Sequence, residues 1–194
     1  MKPKGLNKLE LVMKSFEKPW FVAGGWAIDL AVGKVTREHK DIDICVFRED
    51  ANYIINYFKD WDIKVAIPGE HRLERVDQIT DVALPRYCLH LFKEDEFLEI
   101  LLTERVSEEV IFRKNSEIRM SIKDFSKHQE NIPFVNPVWQ LLFKSLYTRE
   151  EDEHDFMTYI NEVNDDYSKK WLFQKLKEIK GNQKWVEELQ MYLV

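Results

Sequence analysis

The sequence predicts an α+β protein: a small mixed β-sheet with flanking helices, followed by a helical C-terminal part. Three observations predict it. Apolar residues recur at helical spacing near the start, short apolar runs divided by polar turns fill the middle, and from Val138 onward the pattern is helical. The chain of 194 residues is 44% apolar and 13% aromatic, enough to bury a sizeable core.

Taken in order, Leu6, Leu9, Val12, Met13 and Phe16 give an amphipathic opening helix, which Pro19 breaks. Trp20–Ala23 reads as a short buried strand ending at the glycine pair Gly24-Gly25. A helix follows and stops near Gly33, a residue type favoured just past a helix C-terminus. The next strand covers about Asp41 to Phe47, and Asp50 to Phe58 reads as a helix. Ile63–Ile67, Tyr87–Phe92 and Phe97–Leu102 read as strands, with Lys93–Glu96 as a hairpin turn between the last two. Val110–Arg113 and Glu117–Ile122 suggest a second hairpin around Asn115-Ser116. The pattern changes near Ile132-Pro133, and Gly181-Asn182 separates the last two helices.

Composition narrows the function classes. A net charge of −6 argues against a protein that coats nucleic acid, which needs a basic face. Cys45 and Cys88 both sit in apolar runs and read as buried packing residues, not a disulfide framework. No apolar run reaches membrane-spanning length, and the first residues lack a signal-peptide core, so a cytoplasmic protein is expected. Histidines do not cluster at metal-ligand spacing and no cysteine pair suggests zinc.

The chemistry concentrates in Gly24-Gly25-Trp26-Ala27-Ile28-Asp29-Leu30 and His39-Lys40-Asp41-Ile42-Asp43-Ile44. Alternate strand residues share a face, so Asp41 and Asp43 would project together with Cα atoms roughly 6.5–7 Å apart. Hard oxygen ligands at that spacing suit divalent metal ions. Ile42, Ile44 and Val46 fill the opposite face, while Cys45 and Phe47 continue the aspartates' own face, so that face is buried too and the carboxylates need partners. The glycine pair is either a plain tight turn or a phosphate cradle at a helix N-terminus. Arg37, His39 and Lys40 form either an exposed basic turn or further phosphate contacts. Glu99 interrupts the apolar run Phe97–Leu102 and must be paired, coordinated or catalytic, whereas Glu96 and Glu104 read as solvated. Lys144 either snorkels to solvent or turns inward to a phosphate. Asp152 and Asp155 read as surface charges or helix caps, and Trp139, Trp171 and Trp185 as packing residues.

Gly24–Leu30, Thr36–Ile44 and Phe47–Asp50, in this order, resemble the nucleotidyltransferases of the DNA polymerase β superfamily, and most of all its antibiotic-modifying branch of aminoglycoside adenylyltransferases and lincosamide nucleotidyltransferases. The likeness continues through Phe97–Glu104, Pro137–Lys144 and Asp152–Phe156. It implies a nucleotidyltransferase catalytic domain over residues 1–131 and a helical subdomain over 132–194. Asp41, Asp43 and Glu99 would then be the catalytic carboxylates and the ligands of two Mg²⁺ ions, with Glu99 completing the metal site or acting as base. Gly24, Gly25, Arg37 and Lys144 would bind the triphosphate of an NTP, expected to be ATP. Asp29 would pair with Arg37 or reach the substrate. Gly25-Trp26 replaces the Gly-Ser of many superfamily members and removes a serine contact to phosphate, although the antibiotic-modifying branch also has Gly-Gly-Trp. The expected partner is a small hydroxylated acceptor, with no membrane or nucleic acid, and with a homodimer left open. The acceptor is expected between the sheet and the helices after Pro133, near Asp152 or Asp155 if it is cationic. Two alternatives stand beside this reading: transfer to a protein or RNA, and a non-catalytic nucleotide-binding module.

Overall fold

The computed structural model describes residues 4–193. Helix α1 (Lys4–Met13) buries Leu6, Leu9 and Met13 on one stripe, joined by Phe16 just past its end. Strand β1 (Trp20–Val22) runs through Ala23 into α2 (Gly24–Val32), which Gly33 closes at φ 86°. Strand β2 (Asp43–Phe47) is followed by a 3-10 turn over Arg48–Asp50 and by α3 (Ala51–Tyr57). Then come β3 (Asp62–Ile67), β4 (Arg72–Arg75), β5 (Cys88–Lys93) and β6 (Glu96–Thr103). Three short strands, β7 (Arg105–Val106), β8 (Glu109–Ile111) and β9 (Arg119–Ser121), form a separate small sheet. After α4 (Ile122–Phe125), β10 (Ser126–Gln129) and β11 (Ile132–Val135) return to the main sheet. The chain ends in α5 (Pro137–Lys144), α6 (Glu150–Glu162), α7 (Asp166–Ile179) and α8 (Gln183–Tyr192). No described helix is long and apolar enough to cross a membrane.

The main sheet runs β10-β11-β1-β2-β6-β5-β3-β4. It is mixed: β1 pairs with β11 and β2 with β6 in parallel, and the other neighbours are antiparallel. Side-chain alternation gives it two buried faces. Ile44, Val46, Leu98 and Ile100 face a core shared with α1 and α3. Phe21, Cys45 and Phe47 face a second core with α5 to α8, so the helical end is docked on the sheet. Phe156 and Trp185 stack within that second core at 4.3 Å. Trp139 and Trp171 stack at 6.1 Å, with Trp139 buried as expected of a packing residue.

Several elements differ from the sequence reading, each for a physical reason. Strand β2 begins at Asp43, not Asp41, because Asp41 lies in a bend where its carbonyl accepts the Trp26 indole N–H at 3.1 Å. Strands β4 and β10 are polar, Arg-Leu-Glu-Arg and Ser-Lys-His-Gln, and lie at the two edges of the sheet. Edge strands need no apolar alternation, so periodicity does not reveal them. The sheet extends past residue 131 to Val135. The helices begin at Pro137, where the Asn136 side chain accepts the Val138 N–H at 3.2 Å.

Candidate active site

Two strands carry the acidic side of the site. Asp43 opens β2 and lies directly opposite Glu99 on β6, where their carboxyl groups meet. Asp41, two residues earlier, is exposed in its bend but close enough to act on Asp43 electrostatically. Burial, then the charges of Glu99 and Asp41, push the Asp43 carboxyl up to about 7, against a smaller lowering by Lys144. The structure brings Asp41, Asp43 and Glu99 together, although not as the expected alternation on one strand.

The start of α2 lies against this group. Gly24 adopts φ 60°, and any Cβ there would overlap the Asp43 carboxylate. A Cβ at Gly25 would overlap the Arg37 guanidinium and the His39 ring. The pair therefore has two causes: a left-handed backbone and two close approaches. Ala23 N–H donates to the Asp43 carbonyl at 2.8 Å, and Gly24 N–H to Gln140 Oε1 at 3.2 Å. The first turn of a helix carries N–H groups without intrahelical partners and the positive end of the dipole, and here that turn lies beside the Asp43 carboxylate.

The rest of the motif locks the loop after α2. Trp26 stacks on His39 at 4.3 Å. Asp29, 3% exposed, accepts from Thr36 N–H and Thr36 Oγ1 and contacts His39 Nε2 at 2.6 Å. Asp29 thus pairs with His39 and Thr36, not with Arg37 as expected. Arg37 instead forms a bidentate pair with Asp155 at 2.7 and 3.0 Å. A third N–H of Arg37 goes to the Glu38 carbonyl at 3.1 Å. Among the described residues, three of the five guanidinium N–H groups have hydrogen-bond partners and two do not.

Helix α5 supplies Gln140 and Lys144 one turn apart. Lys144 Nζ contacts both Asp152 and Asp155, the latter at 3.0 Å. Asp152 and Asp155 are 1% and 0% exposed, not surface charges, and their oxygens are taken by Arg37, Lys144 and Arg149. Burial alone would raise both carboxyls, but these cations outweigh it and hold them below the usual carboxylate range. Asp155 in turn raises Arg37 through its hydrogen bonds. Neither aspartate is open to a cationic acceptor. Asp152 also accepts the Arg149 N–H at 3.0 Å, so the expected capping role is present. Glu104, read as solvated, pairs with Arg48, and Glu96 with Lys8 at 2.8 Å.

Sequence reasoning missed Gln140, the only polar side chain at an inner position of Val138–Leu142, whose signal was its spacing of four from Lys144. It also missed the tie between Arg37 and Asp155, 118 residues apart, for which no local signal exists.

Anionic groups on adjacent strands thus lie beside a glycine-led helix start and two inward basic side chains, and together they form the candidate site. The class is that of the nucleotidyltransferases. Residues 6–156 match the aminoglycoside-2''-adenylyltransferase family, and the chain belongs to it. It is 24% identical over 135 residues to a lincosamide resistance protein of Staphylococcus haemolyticus, spanning 70% of this chain and 79% of that protein. Two solved structures share the fold. The lincosamide adenylyltransferase LnuA with lincomycin bound gives a TM-score of 0.57 at 22% identity, covering 81% of this chain and 96% of that one. ANT(2'')-Ia in complex with adenylyl-2''-tobramycin gives 0.59 at 14% identity, covering 90% and 96%.

Proposed function

We propose that the protein transfers a nucleoside monophosphate, AMP from ATP, to a hydroxyl of a small antibiotic of the lincosamide or aminoglycoside kind. The observation that carries this reading is the facing of Asp43 and Glu99 across β2 and β6, beside the start of α2. The antibiotic relatives support the choice of acceptor. The division into a catalytic part and a helical C-terminal part, a cytoplasmic location and a resistance role belong to the same reading.

The donor set fits divalent cations of the Mg²⁺ type. Asp41, Asp43 and Glu99 offer hard oxygen atoms, and Asp43 is left with more negative charge around it than Lys144 offsets. Asp41, Asp43 and Glu99 would hold two such ions, which would lower the pKa of the acceptor hydroxyl and neutralise triphosphate charge. The chain's own groups do the rest. The first turn of α2, with the two spare Arg37 N–H groups and Lys144, binds and orients the triphosphate. Glu99 takes the proton from the acceptor hydroxyl. The acceptor oxygen bonds to the α-phosphorus as the bond to the bridging oxygen breaks, and pyrophosphate leaves towards the basic side. Positioning and charge stabilisation carry the step.

The test is mass spectrometry of reactions with Mg²⁺ and each NTP, offered aminoglycosides and lincosamides in turn. A nucleotide-monophosphate adduct on one drug fixes donor and acceptor together. Nucleotide incorporated into protein or RNA instead would overturn the small-molecule acceptor, and NTP binding without any adduct would overturn the transfer.

A further inference from the structure

Strand β5 places two further metal-binding side chains on the face that carries Glu99. Cys88 and His90 alternate along β5 and so project together, and His90 lies directly opposite Glu99 on β6. Ligand atoms of Cys88, His90 and Glu99 all lie within 4.8 Å of one another. His90 Nε2 is 3.4 Å from Glu99 Oε2. Cys88 is buried while the other two are half-buried, which gives the cluster a closed floor and an open side. The second cysteine is engaged elsewhere: Cys45 Sγ donates to Thr103 Oγ1 at 3.0 Å. Sequence spacing alone gave no zinc signal because the third ligand comes from the neighbouring strand.

Glu99 is common to this cluster and to the carboxylates of the candidate site, and the other two donor types set the cluster apart. Mg²⁺ takes oxygen ligands and leaves thiolate and imidazole unused. A thiolate, an imidazole and a carboxylate with a fourth position open to solvent suit a borderline-soft ion in tetrahedral coordination. We propose that Cys88, His90 and Glu99 form a binding site for a divalent cation of the zinc type, and that filling it withdraws Glu99 and stops nucleotidyl transfer. The effect on transfer rests on the function proposed above; the binding of metal does not. On binding, the ion displaces the Cys88 thiol proton to solvent, a sulfur–metal bond forms, and no oxidation state changes.

Co²⁺ alone, titrated into metal-free protein, reads the site through its near-ultraviolet thiolate-to-cobalt absorption, which Zn²⁺ then erases. Wild type and Cys45→Ser should both develop the band, and Cys88→Ser should not. His90→Ala should weaken the apparent affinity about tenfold or more. Asp43→Asn, expected to abolish transfer, should keep the band, so failure of the transfer reading and failure of the metal site are told apart. In Mg²⁺-supported assays, Zn²⁺ should inhibit wild type at concentrations that leave Cys88→Ser active. A wild type without a band, or a band undiminished in Cys88→Ser, would overturn the site. Equal inhibition of both proteins would overturn the withdrawal of Glu99.

Discussion

Two charged clusters flank the start of α2, and the fold treats them in opposite ways. On one side Asp41, Asp43 and Glu99 crowd together, and the Asp43 carboxyl is pushed up to about 7. On the other, Asp152 and Asp155 are buried too, yet both are held below the usual carboxylate range by Arg37, Lys144 and Arg149. Burial raises all three carboxyls, and the partners set the outcome: the charges of Glu99 and Asp41 add to it at Asp43, while cations outweigh it at Asp152 and Asp155. The satisfied cluster holds basic side chains in place, and the unsatisfied one is the proposed place for cations from solution. This contrast sorts the acidic residues into two roles.

The sharpest way to break it is Asp43→Asn. Turnover should fall about 10³-fold or more in a transfer assay, since a group acting on developing charge is removed. The same variant, free of metal at pH 8, should melt about 2–4 °C higher, the shift that ~1 kcal/mol produces in a chain of this size. A lower melting temperature would mean that Asp43 is structurally paired and that the two clusters are alike. Next in size is Asp155→Ala, which leaves the Arg37 guanidinium without its carboxylate partner while Lys144 keeps Asp152. It should cost about 3–5 kcal/mol in denaturant unfolding and raise KM for the nucleotide. Gly24→Ala probes the boundary between the clusters. With φ at 60° and the Asp43 carboxylate in the way, it should cost about 1–2 kcal/mol and a large part of the activity.

The clusters should also respond to pH with opposite signs. Folded Asp43 binds its proton more tightly than the unfolded chain does, so its contribution is present below the ordinary value of 3.8 and is lost as pH rises to about 7. Asp152 and Asp155 are lowered, so theirs is present above that value and is lost as pH falls through their folded-state pKa. Metal-free melting curves of wild type and Asp43→Asn should thus diverge as pH rises through this range, and added Mg²⁺ should close the gap. At the small end, Lys34→Ala removes the exposed Lys34–Glu162 pair at 2.6 Å, away from both clusters. Stability should change by less than ~0.5 kcal/mol and turnover should not change.

What was legible in the sequence was local. Ile44 and Val46 on one face of β2, with Cys45 and Phe47 on the other, announced a strand buried on both sides, and the two cores confirm that alternation. The glycine pair announced a special backbone, and Gly24 has it. The turn at Lys93–Glu96 was read correctly, with Lys93 opposite Glu96 and Glu94 at φ 52°. Edge strands β4 and β10 left no apolar trace, and Asp152 and Asp155 looked like surface charges because their partners are distant in the chain or on other elements.

The sequence alone determined the apolar strands and helices up to Ile122, the helical character of the C-terminal part, and the family, because apolar periodicity and a short motif are local properties. Only the tertiary structure decided which charge meets which. Sheet register set Glu99 opposite Asp43 and His90 opposite Glu99, and docking of α6 against α2 joined Arg37 to Asp155. Burial makes an ionised group depend on its neighbours, and those neighbours are chosen by packing rather than by position along the chain.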